Sequence, residues 1–387
     1  MRRAVKALFL APIVLLNACA FGDPPPPVAG QPPDLPTPDT DPELQSSTVV
    51  APAASEVDQP SDIDFLPDGT AVFIERETGT VWSIGYQDDN STAEPEEVLH
   101  LDDVNAEGSG GLLAVAVSPE FDDDGTVYLY YSTDEDNRVV AWEWESDEQP
   151  EPILTGISHG SQLNGGALEF GPEGLLWVGT GDADYLSEAQ DPDKLGGKLL
   201  RITTSGEAAE GNPDPDSPVY SLGHRNIRAI AFRDGDPEPV VLESSPNLDD
   251  YVNQVRKDGN YGWPRLVEEF NSDEYLEPIA IRESQVGECA GATFIGDMLV
   301  TACQRGQRLW LADIDSAGEE LTDAAELFMN EFGQLHALAM GDDGLLWAGT
   351  YNRGDQCDSS MGCYPNEEDD RILRISLPGY TSGIGLT

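Results

Sequence analysis

Leu168-Glu169-Phe170-Gly171-Pro172-Glu173-Gly174, running on into Leu176-Trp177-Val178-Gly179-Thr180, is an apolar stretch, a turn of glycine, proline and acid, and a second apolar stretch. Alternating apolar residues on both sides of such a turn read as two antiparallel strands. The phrase occurs six times. Its other copies are Ile63-Asp64-Phe65-Leu66-Pro67-Asp68-Gly69, Ala114-Val115-Ala116-Val117-Ser118-Pro119-Glu120, Ile230-Ala231-Phe232-Arg233-Asp234-Gly235, Ala292-Thr293-Phe294-Ile295-Gly296-Asp297 and Leu338-Ala339-Met340-Gly341-Asp342-Asp343-Gly344. Second strands such as Val127-Tyr128-Leu129-Tyr130-Tyr131 and Leu346-Trp347-Ala348-Gly349-Thr350 follow, and Lys198-Leu199-Leu200-Arg201-Ile202 supplies a third. Units recur at roughly 45 to 65 residues, room for four short strands and a variable loop, and no stretch sustains a helical period. A β-sandwich competes as an architecture but has no need of six copies of one phrase. The expected fold is all-β: a six-bladed β-propeller of four-stranded antiparallel sheets. In such a ring the connecting loops of one face converge on the axis, so functional residues are sought there.

The amino terminus is a different kind of sequence. Met1-Arg2-Arg3 and Lys6 precede an apolar run from Ala7 to Leu16, too short for a permanent membrane span and suited to a secretion signal. Leu16-Asn17-Ala18-Cys19 resembles a lipobox, in which cleavage precedes a cysteine that receives lipid; an ordinary signal peptide is the plainer alternative, and the paired arginines also permit twin-arginine export. The proline- and acid-rich stretch that follows, including Asp23-Pro24-Pro25-Pro26-Pro27, cannot bury a core and reads as a tether. The expected organisation is a signal peptide over 1–18, a lipid-anchored linker over 19–52, the propeller over 53–380 and a tail over 381–387. The protein is expected to be exported and held at the cell surface, touching membrane only through its lipid.

Asp and Glu number 73 against 20 Lys plus Arg, a net charge of −53, with the acids scattered along the body. Such a surface repels itself unless counterions screen it, which points to a protein adapted to high salt and excludes nucleic acid and anionic membrane surfaces as partners. Of five cysteines, assigning Cys19 to lipid leaves an even set suited to an oxidising compartment. Cys289 with Cys303 and Cys357 with Cys363 are the expected disulfides; free buried thiols are the alternative, and zinc is disfavoured because no histidine stands at zinc-site spacing.

Two segments are more particular than a generic propeller: Tyr220-Ser221-Leu222-Gly223-His224-Arg225-Asn226 and Gly259-Asn260-Tyr261-Gly262-Trp263-Pro264. Both resemble the soluble sugar dehydrogenases that use pyrroloquinoline quinone (PQQ), the glucose and aldose dehydrogenase family, with phrases of the type YxxGHRNxxG and GxNYGWP. Gly110-Gly111-Leu112-Leu113, Gly165-Gly166, Gly181-Asp182, Leu195-Gly196-Gly197-Lys198-Leu199-Leu200-Arg201-Ile202 and Gln307-Arg308-Leu309-Trp310 match in the same order, from about Asp62 to Leu377. The resemblance implies calcium-assisted oxidation of an aldose at its anomeric hydroxyl, with hydride passing to PQQ and electrons to an external acceptor. Such chemistry needs a base for the hydroxyl proton, cations for the three carboxylates of PQQ, and calcium to polarise a quinone carbonyl.

Carried onto this chain, the resemblance makes Arg225 and Asn226 cofactor contacts, with His224 a structural hydrogen-bonder. Arg305, Gln334 and His336 fall where further cations are expected, and Asn164, in the third phrase, is a further candidate cofactor contact. Backbone oxygens of Ser245 and Pro246 fall at the calcium segment. Ser109 stands where the family has Glu or Gln, with Glu107 nearby. The expected catalytic histidine is replaced, because the chain reads Leu163-Asn164-Gly165-Gly166 there, and leucine accepts no proton. His159 and His336 are the candidates for a displaced base; each also reads as a partly buried hydrogen-bonder. Two other functions compete: a non-catalytic propeller binding a sugar, glycan or surface partner, and a calcium-dependent hydrolase of the lactonase kind using Asp182, Asp184 and Asp250.

Overall fold

The computed structural model describes residues 42–85, 91–244, 249–265, 275–283 and 287–378, apart from 316, 319, 342 and 354–367. The signal segment, Cys19, most of the linker, Ser245, Pro246, Cys357, Cys363 and the 381–387 tail lie outside these residues.

Six four-stranded antiparallel sheets make the body, as the sixfold phrase predicts. Their innermost strands are Pro60–Phe65, Leu112–Val117, Gly165–Phe170, Ile227–Ala231, Cys289–Ile295 and Leu335–Met340. Each packs on the next and the last packs on the first, closing the ring. The sixth blade is completed by the amino-terminal strand Val49–Ser55, which pairs with Arg371–Ser376 in the register Val49↔Ser376. That strand begins inside the stretch expected to be linker. It covers the open edge of the last blade, so closure is held by a hydrogen-bond ladder as well as by packing.

Aromatics of the repeated phrase pack between blades at three of the six junctions. Phe65 meets Trp347 of the sixth blade at 5.3 Å, Phe170 meets Tyr128 of the second at 5.4 Å, and Phe232 meets Trp177 of the third at 5.6 Å, all edge-on. Three of the six phrases thus insert a ring against the second strand of the preceding blade, a geometry that adds about 0.5–1.5 kcal/mol per pair to the area buried. Between the first two blades the seal is polar. Asp62 Oδ2 accepts from the Val115 amide at 3.0 Å and Asp64 Oδ2 from the Val117 amide at 2.7 Å.

All six inner strands carry an irregularity near their start. Pairing with the second strand skips between Pro60 and Asp62, Leu112 and Ala114, Gly165 and Ala167, Ile227 and Ala229, Cys289 and Gly291, and Leu335 and Leu338. A bulge re-aims the skipped side chain. Here Ser61, Leu113, Gly166, Arg228, Ala290 and His336, one skipped residue from each blade, turn toward the axis, while Ala337, also skipped in the sixth blade, is buried in the core. Gly166 has φ +99°, and a Cβ there would lie 2.5 Å from Leu113 Cβ, so this throat admits no side chain from the third blade.

Candidate functional site

The throat divides two cavities on the propeller axis. Leu113, Gly166, Arg228, Ala290 and His336 line both. The lower one, about 270 Å³, is a channel lined by Asp62, Asp64 and Glu169. The upper one, about 530 Å³, is an open cup bordered by the loops that enter the inner strands and leave the second strands. Its volume lies in the range of small-molecule sites.

Three arginines from two blades converge on the cup: Arg76 of the first, and Arg225 and Arg228 of the fourth. Glu288 is the one carboxylate in its lining among the described residues, and it is paired with Arg305 at 2.9 Å. In a chain with 73 acidic and 20 basic residues, this concentration of guanidinium groups gives the cup local positive charge inside an anionic protein.

Each arginine is held differently. Arg225 sits just before the fourth inner strand; its amide donates to Glu243 Oε2 at 2.8 Å and its Nη1 to the Ser244 carbonyl at 3.1 Å. Its guanidinium lies 5.4 Å over the Trp263 ring, and the Trp263 indole donates to Asp182 Oδ2 at 2.6 Å. The two family-like segments therefore meet here, one supplying the cation and the other its aromatic support. His224, fully buried, bonds Ser221 Oγ at 2.9 Å and approaches Glu243 at 3.4 Å, stacked on Tyr261, which is the structural role expected of it. Arg228 occupies the bulge of the fourth blade and spends one donor on Gln304 Oε1 at 2.9 Å. Arg76 donates to Tyr351 Oη at 2.6 Å and to the carbonyls of Gly108 and Gly110, and pairs with Glu77. Burial presses the Arg225 pKa downward, against the opposing pull of Asp182 and Asp184.

Asn226 and Asn164 both line the cup, yet their amides are committed to the scaffold. Asn226 Oδ1 accepts from Gly165 N at 2.9 Å and its Nδ2 donates to Ser244 Oγ at 3.1 Å. Asn164 accepts from Gly160 N and from Asn137, and donates to Ser109 Oγ and the Gly160 carbonyl. These bonds fix the loop that carries Leu163. Leu163 adopts φ +60°, unusual for a branched side chain, and its carbonyl accepts from Ala183 N at 3.0 Å. Leucine thus lines the cup where the resemblance places a base.

The remaining candidates divide. His336 lies in the cup; its ring stacks on Tyr351 at 4.8 Å, and burial, then Arg228 and Arg76, push its pKa down to about 3. His159, Arg305 and Gln334 are outside the lining residues. Arg305 is spent on Glu288, and Gln334 is buried with its backbone amide donating to Asn352 Oδ1. Ser109 lines the cup as a ligand of Asn164. Asp182, Asp184 and Asp250 do not gather: Asp250 is buried against the Glu288 and Cys289 amides and Arg282, and among the described residues no three acidic, histidine or cysteine side chains are placed to hold a metal.

The expected Cys289–Cys303 disulfide is formed. It links the first two strands of the fifth blade directly below Glu288 and Gln304 of the cup.

Arg76, Arg228, Gln304 and Tyr351 were not singled out in the sequence, although the repeat holds the signal for all four. Arg228 and His336 share one repeat position with Gly166, while Arg76, Gln304 and Tyr351 each directly follow a second strand, after Glu75, Cys303 and Thr350.

The fold and the cup define a six-bladed propeller with arginines of its first and fourth blades lining one cavity on its axis. Residues 57–357 match the Glucose / Sorbosone dehydrogenase family, and the chain belongs to it. The aldose sugar dehydrogenase YliI of Escherichia coli is 29% identical over 270 residues, covering 63% of this chain and 71% of that protein. Quinoprotein glucose dehydrogenase B of Acinetobacter calcoaceticus is 27% identical over 253 residues, 55% of this chain and 52% of its own. Among solved structures, the PQQ-bound aldose sugar dehydrogenase of Streptomyces coelicolor superposes with a TM-score of 0.77 at 30% identity, covering 85% of this chain and 98% of that one.

Proposed function

We propose that this protein is a PQQ- and calcium-dependent dehydrogenase that oxidises an aldose at its anomeric hydroxyl in the axial cup. The observation that carries this reading is the convergence of Arg76, Arg225 and Arg228 on one cavity of a strongly acidic protein. PQQ is a flat tricarboxylate, and guanidinium forks match carboxylates in both charge and geometry. Arg228 is the best placed to receive one, since among the described residues it spends a donor only on Gln304; Arg225 is oriented by Glu243, Ser244 and Trp263, and Arg76 adds positive charge from the first blade. When bound, PQQ supplies the hydride acceptor, and calcium, expected at the backbone oxygens of Ser245 and Pro246, polarises it. The residues of the cup bind and orient: the Asn164 and Asn226 amides fix the loops around the site, and Leu163 presents an apolar wall that keeps water from part of it. Electrons leave to an external acceptor. We further read the amino terminus as a lipoprotein signal that exports the chain and anchors it at the cell surface.

Apoprotein reconstituted with PQQ and calcium is expected to reduce a redox dye when aldoses are supplied. Failure with a broad panel of sugars, in a protein that still binds a glycan, rejects this reading and favours a binding propeller, which the leucine at position 163 would suit.

A further inference from the structure

A cavity lined by three arginines and built for an anion has little use for a carboxylate, yet Glu288 lines it. Glu288 stands immediately ahead of the inner strand of the fifth blade, Cys289–Ile295, with its backbone at φ +56°. That left-handed conformation costs a residue with a Cβ some energy, and such positions gather at functional sites. Of the described non-glycine residues lining the cup, Leu163 alone shares it. The peptide is pinned on both sides: Glu288 N donates to Asp250 Oδ1 at 3.2 Å, and the Glu288 carbonyl accepts from Gln304 N at 3.1 Å. The Cys289 amide binds Asp250 Oδ2 at 3.0 Å, and the Cys289–Cys303 disulfide ties the strand pair beneath. The side chain is anchored too. Arg305 holds Oε1 at 2.9 Å, whereas Oε2 accepts from no protein donor among the described residues, and the side chain is 20% exposed. A carboxylate gripped through one oxygen and open at the other is ready to accept a hydroxyl hydrogen.

We propose that Glu288 is a sugar-binding residue of the cup, whose open carboxylate oxygen accepts one hydroxyl of the aldose away from the anomeric carbon and so sets which sugars are taken. The inference rests on the dehydrogenase reading above.

Charge divides the cup. The carboxylates of PQQ are drawn to the arginines and repelled by Glu288, so the space at its tip is left to a neutral, hydroxyl-bearing ligand. An ionised acceptor also discriminates well. A sugar lacking the matching hydroxyl leaves the carboxylate without a donor, and a contact of this kind carries about 10- to 150-fold in affinity. The strained backbone is then the means of aiming it: Asp250, Gln304 and Arg305 fix the residue before any sugar arrives, so little ordering is left for binding to supply.

The test sets residue against hydroxyl. The aldose that the PQQ- and calcium-loaded protein turns over fastest, and each of its monodeoxy analogues, are assayed by dye reduction with wild type, Glu288→Gln and Glu288→Asn, while calorimetry measures PQQ binding to each apoprotein. In wild type one analogue should lose about 10- to 150-fold in kcat/KM. In Glu288→Asn, which suits the left-handed backbone but is too short to reach, the parent sugar should lose a similar factor through KM and that analogue little more, a coupling that a general loss of structure does not produce. Glu288→Gln, a neutral acceptor of the same length, should fall between the two. Glu288→Asn should melt within about 2 °C of wild type or above it, and both variants should bind PQQ as tightly as wild type or more so, because a like charge has gone. Deoxy penalties identical in wild type and Glu288→Asn, an unchanged KM in Glu288→Asn, or PQQ binding weakened by more than about tenfold overturns this inference alone. Loaded protein that reduces no dye with any aldose overturns the dehydrogenase reading together with it.

Discussion

Replacing Arg228 with glutamine separates cofactor binding from folding more cleanly than any other change in the cup. The guanidinium has one protein partner among the described residues, the 2.9 Å bond to Gln304, so the folded state gives up a single hydrogen bond that water in the open cup can replace. That costs about 1 kcal/mol, about 2 °C in Tm for a domain of this size. Binding suffers far more. A charge-assisted hydrogen bond to a carboxylate contributes about 1.5–3 kcal/mol, and at about 1.4 kcal/mol per decade the Kd for PQQ should rise by about 10- to 150-fold for each such bond that glutamine fails to make. Calorimetric titration of the apoprotein with PQQ in calcium buffer, beside thermal melts, measures both quantities. A Kd within a factor of about three of wild type, with Tm unchanged, would show that Arg228 does not meet the cofactor and would remove the cation at the centre of the account.

Other outcomes follow from the same geometry. Reducing Cys289–Cys303, or replacing both cysteines with alanine, frees a crosslink across 14 residues worth about 3 kcal/mol, so Tm should drop by several degrees and PQQ affinity should fall as Glu288 and Gln304 loosen; identical melts with and without reductant would refute this. Burial raises the carboxyl of Asp62 to about 8 and those of Asp250 and Asp370 to about 6, from an ordinary 3.8. Each binds its proton more tightly folded than unfolded, so the stability it brings is complete below about pH 4 and lost as pH climbs through about 6 and then about 8. Melts from about pH 4.5 to 9 should show Tm falling, with Asp62→Asn abolishing the upper part; an Asp62→Asn profile parallel to wild type would discount that carboxyl. Finally, the charge of −53 predicts that Tm rises from about 0.1 to 2 M KCl as repulsion is screened, and a Tm that falls over that range would contradict the salt-adapted reading.

The fold was legible because each blade must repeat one local solution. The phenylalanine of a phrase such as Leu168-Glu169-Phe170-Gly171-Pro172-Glu173-Gly174 packs on the neighbouring blade, and the glycine-ended turn lets the next strand return, so both recur visibly. The closing strand was harder to see. Val49–Ser55 belongs to the last blade, hundreds of residues away in sequence, and its local composition resembles the tether before it.

The cup was legible only in part. Arg225 and Asn226 stand in a motif with a fixed partner set, and the structure brings both to the axis. Arg305 and Gln334 were placed by the family resemblance, but alignment within a loop does not fix direction: one turns to Glu288 and the other is buried beside Asn352. Arg228 was overlooked because it lies inside a strand, where alternation predicts one of two faces and a bulge sends it in a third direction.

The most direct measurement of the central claim is a crystal structure of the protein grown with PQQ and calcium. The account predicts PQQ in the axial cup, with its carboxylates within hydrogen-bond distance of Arg225 and Arg228 and its quinone edge facing the 245–246 segment and His336. PQQ seated anywhere other than this cup, or an axial cup left empty at saturating PQQ, would contradict it.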